Sequence, residues 1–188
     1  MLPSDPPRVF VVHSNVAAAV VDFESLPFSI RYADFERSIL EQFDPEDDVI
    51  VLEWGLTAPD ARGVLDAALQ HVPGTRTLAL TPSVPADDPI DRGADEYLVT
   101  PVTTDQFRST VEQLVIQHAY EVTLDEYFRL ATERAVLKNE LDSGVDVGDR
   151  YVTVTTQLCA CRQRAETLRR GLSETGFDRT LRNLLGNR

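Results

Sequence analysis

Short apolar runs alternate with amphipathic stretches over residues 8–117. Continuous β-branched and aromatic runs are typical of strands buried in a parallel sheet, whereas apolar positions three and four apart are typical of helices. The predicted strands are 8–12, 28–32, 49–52, 77–80 and 97–99. The predicted helices are 15–26, 33–43, 60–71, 87–92 and one that begins near 105. This alternation predicts an α/β fold in which a five-stranded parallel sheet is covered by helices on both faces.

The pattern changes near residue 118, beyond which the chain is predicted to form long helices. The first helix covers about 118–141, and a glycine-containing loop at 142–149 leads to the second. The second helix carries apolar residues in a heptad pattern, at Tyr151, Val154, Leu158, Cys161, Ala165, Leu168 and Leu172. Two helices joined by a short loop predict an antiparallel α-helical hairpin. The heptad is also compatible with a coiled coil between two chains, and the sequence does not separate the two.

The composition predicts the salt concentration and the cellular compartment in which the protein works. Residues 1–117 carry 20 acidic and 7 basic side chains, and residues 118–188 carry 11 of each. Of the 18 basic residues, only Lys138 is a lysine. An acidic surface with almost no lysine indicates adaptation to concentrated salt, although a GC-rich genome also replaces Lys by Arg. The chain has no apolar run long enough for a membrane span and no secretory signal, so we expect a cytoplasmic protein.

Basic residues are concentrated in the second long helix, at Arg162, Arg164, Arg169 and Arg170. They invite a DNA-binding interpretation, but most such runs are a solvated helix face. Molar salt would shorten the range of phosphate contacts and weaken counterion release. The sequence therefore leaves DNA binding open without favouring it. Cys159 and Cys161 are too few to form a structural zinc site and are interpreted as small apolar residues.

Two segments resemble known families. Gly93–Pro101, which reads G-A-D-E-Y-L-V-T-P, resembles the G-A-D-D-Y-L-V-K-P segment of response-regulator receiver domains. Leu124–Ala131 resembles the start of the HalX domain, a helical segment attached to receivers in haloarchaea. The resemblance implies a flavodoxin-like (CheY-like) sheet over residues 8–117, a flexible N-terminus at 1–7 and a HalX-like helical hairpin at 118–188. It also supports adaptation to salt.

The receiver resemblance implies a phosphorylation site that this sequence does not preserve. A working receiver has a phosphoacceptor Asp at the end of its third strand, two acidic residues after the first strand that bind Mg²⁺, and a Lys before the fifth-strand proline. Here Glu53 stands at the phosphoacceptor position, His13 and Ser14 at the acidic pair, and Thr100 at the Lys. With one carboxylate and no Lys, a phosphoryl group would be poorly neutralised. We therefore expect a degenerate phosphoacceptor site with no metal and no cofactor.

Other positions of the resemblance are kept. Thr81 stands at the switch hydroxyl position, Tyr97 at the switch aromatic, and Pro101 at a proline that follows a cis bond in receivers. Glu53 has two interpretations. It either mimics a phosphorylated Asp, or it belongs to a decayed site in which it pairs with a neighbour such as His13.

These residues predict a signalling protein with no catalytic residues. We expect a phosphorylation-independent pseudo-receiver that acts through protein–protein contacts. These contacts are expected at the hairpin and at the face formed by the predicted fourth helix (87–92), fifth strand (97–99) and fifth helix (from 105). Apolar positions such as Phe128 and Val136 are expected to contact a partner or a second copy, which predicts a homodimer. One alternative is a DNA-binding transcriptional regulator that uses the basic C-terminal helices. Another is a phosphorylatable response regulator of a two-component system.

Overall fold

Five parallel strands form one sheet in the order β2-β1-β3-β4-β5. The computed structural model describes residues 6–12, 21–34, 37–54, 61–85 and 87–172. The strands are β1 (Arg8–Val12), β2 (Ser29–Tyr32), β3 (Val49–Glu53), β4 (Arg76–Thr81) and β5 (Glu96–Val99). The helices are α1 (Ala61–His71), α2 (Thr104–Asp142) and α3 (Gly148–Gly171). The chain divides into two compact units between Val115 and Ile116, which we call the receiver-like unit and the hairpin unit.

Alternate residues of the central strands enter two separate hydrophobic clusters, because successive side chains of a strand point to opposite faces. Val9, Val51 and Leu78 belong to the cluster that also contains Phe107 and Val111 of α2. The other cluster joins alternating residues of the same strands, such as Phe10, Ile50, Leu52 and Ala79, to Val64 and Leu65 of α1. The sheet is therefore covered on both faces, as the continuous apolar runs predict.

Two of the predicted helices are wrong in the part that the structure describes. In the stretch predicted as helix 15–26, the described residues form only a 3₁₀ turn at Phe23–Ser25, with Asp22 as its N-cap. The stretch predicted as helix 33–43 contains a 3₁₀ turn at Leu40–Gln42. The side chain of Gln42 bonds to the backbone N–H and carbonyl of Asp34, at 2.8 Å each. Side-chain bonds of this kind satisfy backbone groups without a helical ladder.

The predicted helix at 87–92 is a turn, so the receiver-like unit lacks a helix at that position in its described residues. The carboxylate of Asp88 accepts from the N–H of Ile90, and the carbonyl of Pro89 accepts from Arg92 and Ala94. This local bonding competes with helix formation. Gly93 ends the turn at φ +103°, a conformation that favours glycine.

A single helix, α2, replaces the two helices predicted on either side of residue 118. Thr103 and Gln106 form a reciprocal capping box at its start: the N–H of Thr103 donates to the Gln106 side chain, and the N–H of Gln106 donates to the Thr103 hydroxyl. The sequence from 104 to 142 contains neither Pro nor Gly. Nothing therefore interrupts the helix where the apolar pattern changes.

All seven heptad residues of α3 lie in hydrophobic clusters with residues of α2. Val154 and Leu158 share a cluster with Leu130 and Leu137, which are each 2% exposed. Ala165 and Leu168 share the second cluster with Tyr120. The heptad seam is thus buried within one chain, as the hairpin interpretation predicts. Neither long helix has an apolar stretch sufficient to cross a membrane in the residues that the structure describes.

Two carboxylates at the start of β3 are expected to titrate in opposite directions. The backbone N–H of Glu46, and further the guanidinium of Arg8, lower the pKa of Asp44. Burial raises the pKa of Asp47, whose side chain is 1% exposed, although Arg31 donates to it. Carboxyl-detected NMR of the full chain should give Asp44 a pKa below the usual value of about 3.9 and Asp47 a pKa above it.

The consequences for stability have opposite signs. The contribution of Asp44 is present above its unfolded pKa and is lost as the pH falls through its lower folded value. The contribution of Asp47 is present below its unfolded pKa and is lost as the pH rises through its higher folded value. Both groups titrating on the same side of the unfolded value would contradict this prediction.

Candidate functional site at the carboxyl edge of the sheet

Glu53 is the last residue of β3 and lies in register with Leu80 of β4. Its side chain is half-buried, between the fully buried Leu52 and the 4%-exposed Trp54. Parallel strands bring their carboxyl ends to one edge of the sheet, where ligand sites of such folds collect. The position predicted for the phosphoacceptor therefore lies at the functional edge.

Thr81 and Thr100 meet directly at this edge. The carbonyl of Thr81 accepts from the backbone N–H of Thr100 at 2.7 Å and from its hydroxyl at 3.3 Å. The hydroxyl of Thr81, itself 3% exposed, donates to the carbonyl of Ser83 at 2.6 Å. Both hydroxyl hydrogens are thus used by backbone carbonyls, that of Thr81 at the end of β4 and that of Ser83 in the loop that follows. This pair joins the predicted switch hydroxyl to the residue that replaces the Lys.

The other two predicted switch and structural residues lie on or next to β5. Tyr97 pairs with Ala79 of β4 and packs, partly buried, against the cluster on the α1 side of the sheet. The Thr100–Pro101 bond is cis, as the receiver resemblance predicts. His13 and Ser14 lie outside the described residues.

Trp54 forms contacts at this edge that the sequence did not predict. Its backbone N–H donates to the carbonyl of Leu80 at 2.6 Å, and its indole N–H donates to the carbonyl of Asp87 at 3.2 Å. The carboxylate of Asp87 pairs with Arg62 of α1 at 2.8 Å and with Arg92 at 3.1 Å. Trp54 and Asp87 are 33 residues apart, so no local pattern could have linked them. Together they hold the loop after β4 next to the end of β3.

The Gly93–Pro101 segment also has a structural role at the opposite edge. Both oxygens of Asp95 are bound at the start of β4: one accepts from the N–H and hydroxyl of Thr77, at 2.8 and 3.0 Å, and the other from Arg76 at 2.9 Å. The Arg76 and Asp95 side chains are each 12% exposed. Asp95 therefore anchors the entry to β5 and does not belong to the edge that carries Glu53.

Magnesium, which the receiver resemblance implies, does not fit the residues of this chain. Mg²⁺ prefers a nearly octahedral set of oxygen ligands that includes carboxylates. Of the three positions that are acidic in receivers, the sequence supplies a carboxylate at one, Glu53, while His13 and Ser14 occupy the others. No three His, Cys, Asp or Glu side chains are grouped to hold a metal within the described parts of the chain. We therefore assign no metal-dependent step to this site.

The fold and the site define a receiver-type α/β unit followed by a helical hairpin. Residues 117–184, which contain most of the helical hairpin, match the family model of the HalX domain. The predicted combination of a receiver-like fold with HalX is thus confirmed.

One protein relative and two solved structures are similar to parts of this chain. The chain is 28% identical over 134 residues to a protein from Haloferax volcanii described as "Putative transcriptional regulator". That alignment covers 65% of this chain but 23% of the relative, so the chain spans about a quarter of the relative's length. Among solved structures, the chemotaxis response regulator CheY4 of Vibrio cholerae matches 58% of this chain and 98% of its own, with 17% identity and a TM-score of 0.50. A CheY-like receiver domain protein from Methanospirillum hungatei matches 61% and 97%, with 15% identity and a TM-score of 0.49. At this identity the CheY4 likeness establishes the CheY-like fold alone.

Proposed function

We propose that this chain is a non-catalytic, cytoplasmic signalling regulator whose receiver-like unit works without phosphorylation and acts through protein–protein contacts. One observation carries the proposal. Where receivers place a Lys that pairs with the phosphoryl group, Thr100 has a short neutral side chain whose hydroxyl donates back to Thr81. The same edge presents Glu53 instead of an Asp.

The physical case rests on charge neutralisation. Phosphoryl transfer depends on cations and donors that stabilise charge on the phosphoryl oxygens. Thr100 supplies no charge, and the sequence supplies one carboxylate for a metal. Glu53 is also one methylene longer than Asp, so a phosphoryl group attached to it would be displaced. Each of these three differences from a working receiver weakens the stabilisation of a phosphoryl group, and all three affect the same phosphoryl group.

The hydrogen bonds at this edge favour a decayed site over a phosphomimic. A mimic would be expected to draw the hydroxyl of Thr81 toward Glu53. The single hydroxyl hydrogen of Thr81 instead goes to the carbonyl of Ser83. This arrangement supports an edge in which Glu53 does not control the switch residue.

The proposed contact surface differs from the one expected of receivers, because the turn at 87–93 replaces the fourth helix. The remaining elements of this face are the loop after β4, the edge strand β5 and the first part of α2. Val84 is 77% exposed in the loop and Val99 is 40% exposed at the end of β5. An edge strand with exposed apolar residues is a ready surface for another protein chain.

The test uses Trp54, the only tryptophan of the chain, which lies next to Glu53. We expect its fluorescence to stay flat when Mg²⁺ and then beryllofluoride, a phosphoryl mimic, are titrated into the full chain in high-salt buffer. The matched control restores the receiver residues by four substitutions: His13→Asp, Ser14→Asp, Glu53→Asp and Thr100→Lys. This variant should give a saturable response that requires both ions.

A saturable response of the unsubstituted chain that requires both ions would overturn the proposal and would favour a phosphorylatable response regulator. A flat wild-type chain beside a responsive restored variant would support it, because the fold would then be shown to accept the chemistry that its residues lack. If both remain flat, acetyl phosphate labelling detected by mass spectrometry decides: labelling at Glu53 contradicts the proposal, and its absence supports it.

A second candidate function is transcriptional regulation, which the description of the Haloferax volcanii relative favours. Arg162, Arg164, Arg169 and Arg170 are all exposed on α3. A gel shift at about 0.15 M and at molar salt separates the candidates, since non-specific phosphate contacts weaken steeply with salt. Binding that persists in molar salt and is lost on Arg164→Gln and Arg170→Gln would support a DNA-binding role.

A further inference from the structure

The hairpin has two flanks, one on each side of the contact between α2 and α3, and these flanks differ in charge. On one flank, Arg129 pairs with Glu126 at 2.7 Å and with Glu133 at 3.3 Å, and Glu133 pairs across the hairpin with Arg150 at 2.7 Å. The other flank begins at an apolar groove of about 130 Å³ between the two helices, lined in part by Leu124 of α2 and Arg162 of α3. The second flank carries the ion pair of Arg162 with Glu166 at the groove, and the surface available for apolar contact lies beyond this pair, toward the loop.

Residues three or four positions apart lie on the same side of a helix, so the second flank can be traced along both helices from the residues that line the groove. This flank runs from Leu124 to Phe128, Ala131 and Ala135 on α2, and from Arg162 to Cys159, Thr155 and Tyr151 on α3. We call these six residues after the groove the uncharged flank. Its three α3 residues belong to a run of eleven residues, 151–161, without a charged side chain, in a chain that is 26% charged.

Two features indicate that the uncharged flank is covered by protein. Phe128 is 43% exposed, and a large aromatic side chain gains free energy when it is removed from water. A hairpin of two helices is a single layer, whereas stable domains are built from two packed layers.

We propose that two copies of this chain pair through the uncharged flank, with their hairpins antiparallel across a two-fold axis. The charges of the hairpin select a second copy as the occupant. Residues 139–149, at the loop end, contain Glu140, Asp142, Asp146 and Asp149 and no basic residue. Residues 162–170, at the other end of α3, contain four Arg and one Glu. In an antiparallel pair, the acidic end of each copy lies beside the basic end of the other.

The helix dipole by itself favours Arg at the end of α3, but it does not explain the uncharged run or the exposed Phe128. Burial of the uncharged flank also suits concentrated salt, in which apolar contacts persist and the charges at the two ends of the hairpin act only at close range. The result is a four-helix bundle with a closed, self-complementary interface. This pairing does not depend on the state of the site at Glu53.

The test is sedimentation equilibrium of the full chain in molar KCl. We expect a dimer, and we expect Phe128→Glu to weaken it by about 100-fold or more, since a charge would be buried at the centre of an apolar interface. Ala135→Glu, at an exposed position of the same flank, should act in the same direction. The matched control is Val136→Glu: Val136 is 52% exposed on the same helix but lies outside the flank, so the dimer should be unchanged.

The orientation is tested by charge reversal at the lowest salt in which the chain stays folded. Asp149→Arg and Arg169→Asp should each weaken the dimer, and the double variant should recover it. A wild-type chain that is monomeric up to millimolar concentration overturns the proposal. So does a dimer that Phe128→Glu and Ala135→Glu leave intact while circular dichroism shows that the helices are retained. A double variant that fails to recover overturns the antiparallel pairing.

Discussion

Replacing Asp95 by alanine is expected to lower the unfolding free energy of the receiver-like unit by about 3 kcal/mol, because partners of a nearly buried charge would be left without it. Asp95 accepts from the backbone N–H and the hydroxyl of Thr77. It also pairs with Arg76 at 2.9 Å, where both side chains are 12% exposed. Arg76→Ala should be less costly than Asp95→Ala, because the bonds between Asp95 and Thr77 would survive.

The measurement is denaturant unfolding followed by Trp54 fluorescence, which reports on this unit because the chain has one tryptophan. Asp91→Ala is the control: Asp91 is exposed and lies in the turn that precedes Asp95, so its loss should change stability by less than about 0.5 kcal/mol. Asp95→Asn should lie between the two, since an amide oxygen still accepts from Thr77. Equal effects of Asp95→Ala and Asp91→Ala would show that this network does not stabilise the fold.

The strands could be predicted from sequence more accurately than the helices, for a physical reason. A short, continuous run of apolar residues such as Val49–Leu52 fits a strand of a parallel sheet that is covered on both faces, because its side chains enter both hydrophobic clusters. The helix predicted at 33–43 rested on Phe35, Ile39 and Phe43 at helical spacing. Ile39 and Phe43 do pack against the core, but from a loop held by Gln42. The spacing of apolar residues predicts which side chains reach the core, but it does not determine the backbone conformation between them.

The candidate site could be predicted in part. Glu53 and Thr81 end β3 and β4, and Thr100 directly follows β5. The carboxyl ends of parallel strands lie at one edge of the sheet, so these residues could be predicted to meet there. The contact between Trp54 and Asp87 could not be predicted, because it depends on the path of the loop after β4. Asp88 and Pro89 determine that path through a local turn, where the apolar pattern suggested a helix. In the hairpin, the heptad of α3 packs against α2 as predicted. The break predicted near residue 118 is absent, because no Pro or Gly interrupts the helix between 104 and 142.

Trp54→Ala is the second substitution for which a large effect is expected, a loss of about 3–5 kcal/mol from the receiver-like unit. Trp54 is 4% exposed and packs in the cluster that contains Ile50, Leu52 and Leu65. Its removal would leave a cavity at the end of β3 and would free the carbonyl of Asp87. Because this variant has no tryptophan, its stability is measured by hydrogen–deuterium exchange of peptides from β3 and β4.

Trp54→Phe is the matched control, because it separates the packing of the Trp54 side chain from its hydrogen bond to the loop after β4. Phenylalanine keeps most of the apolar contact but has no N–H for the carbonyl of Asp87, so we expect a smaller loss of about 1–2 kcal/mol. In this variant, exchange should rise first around Asp87 and Arg92, while β3 stays protected. If the loop is unchanged in Trp54→Phe, the indole bond does not hold it, and the ion pairs of Asp87 with Arg62 and Arg92 become the remaining tether at the carboxyl edge.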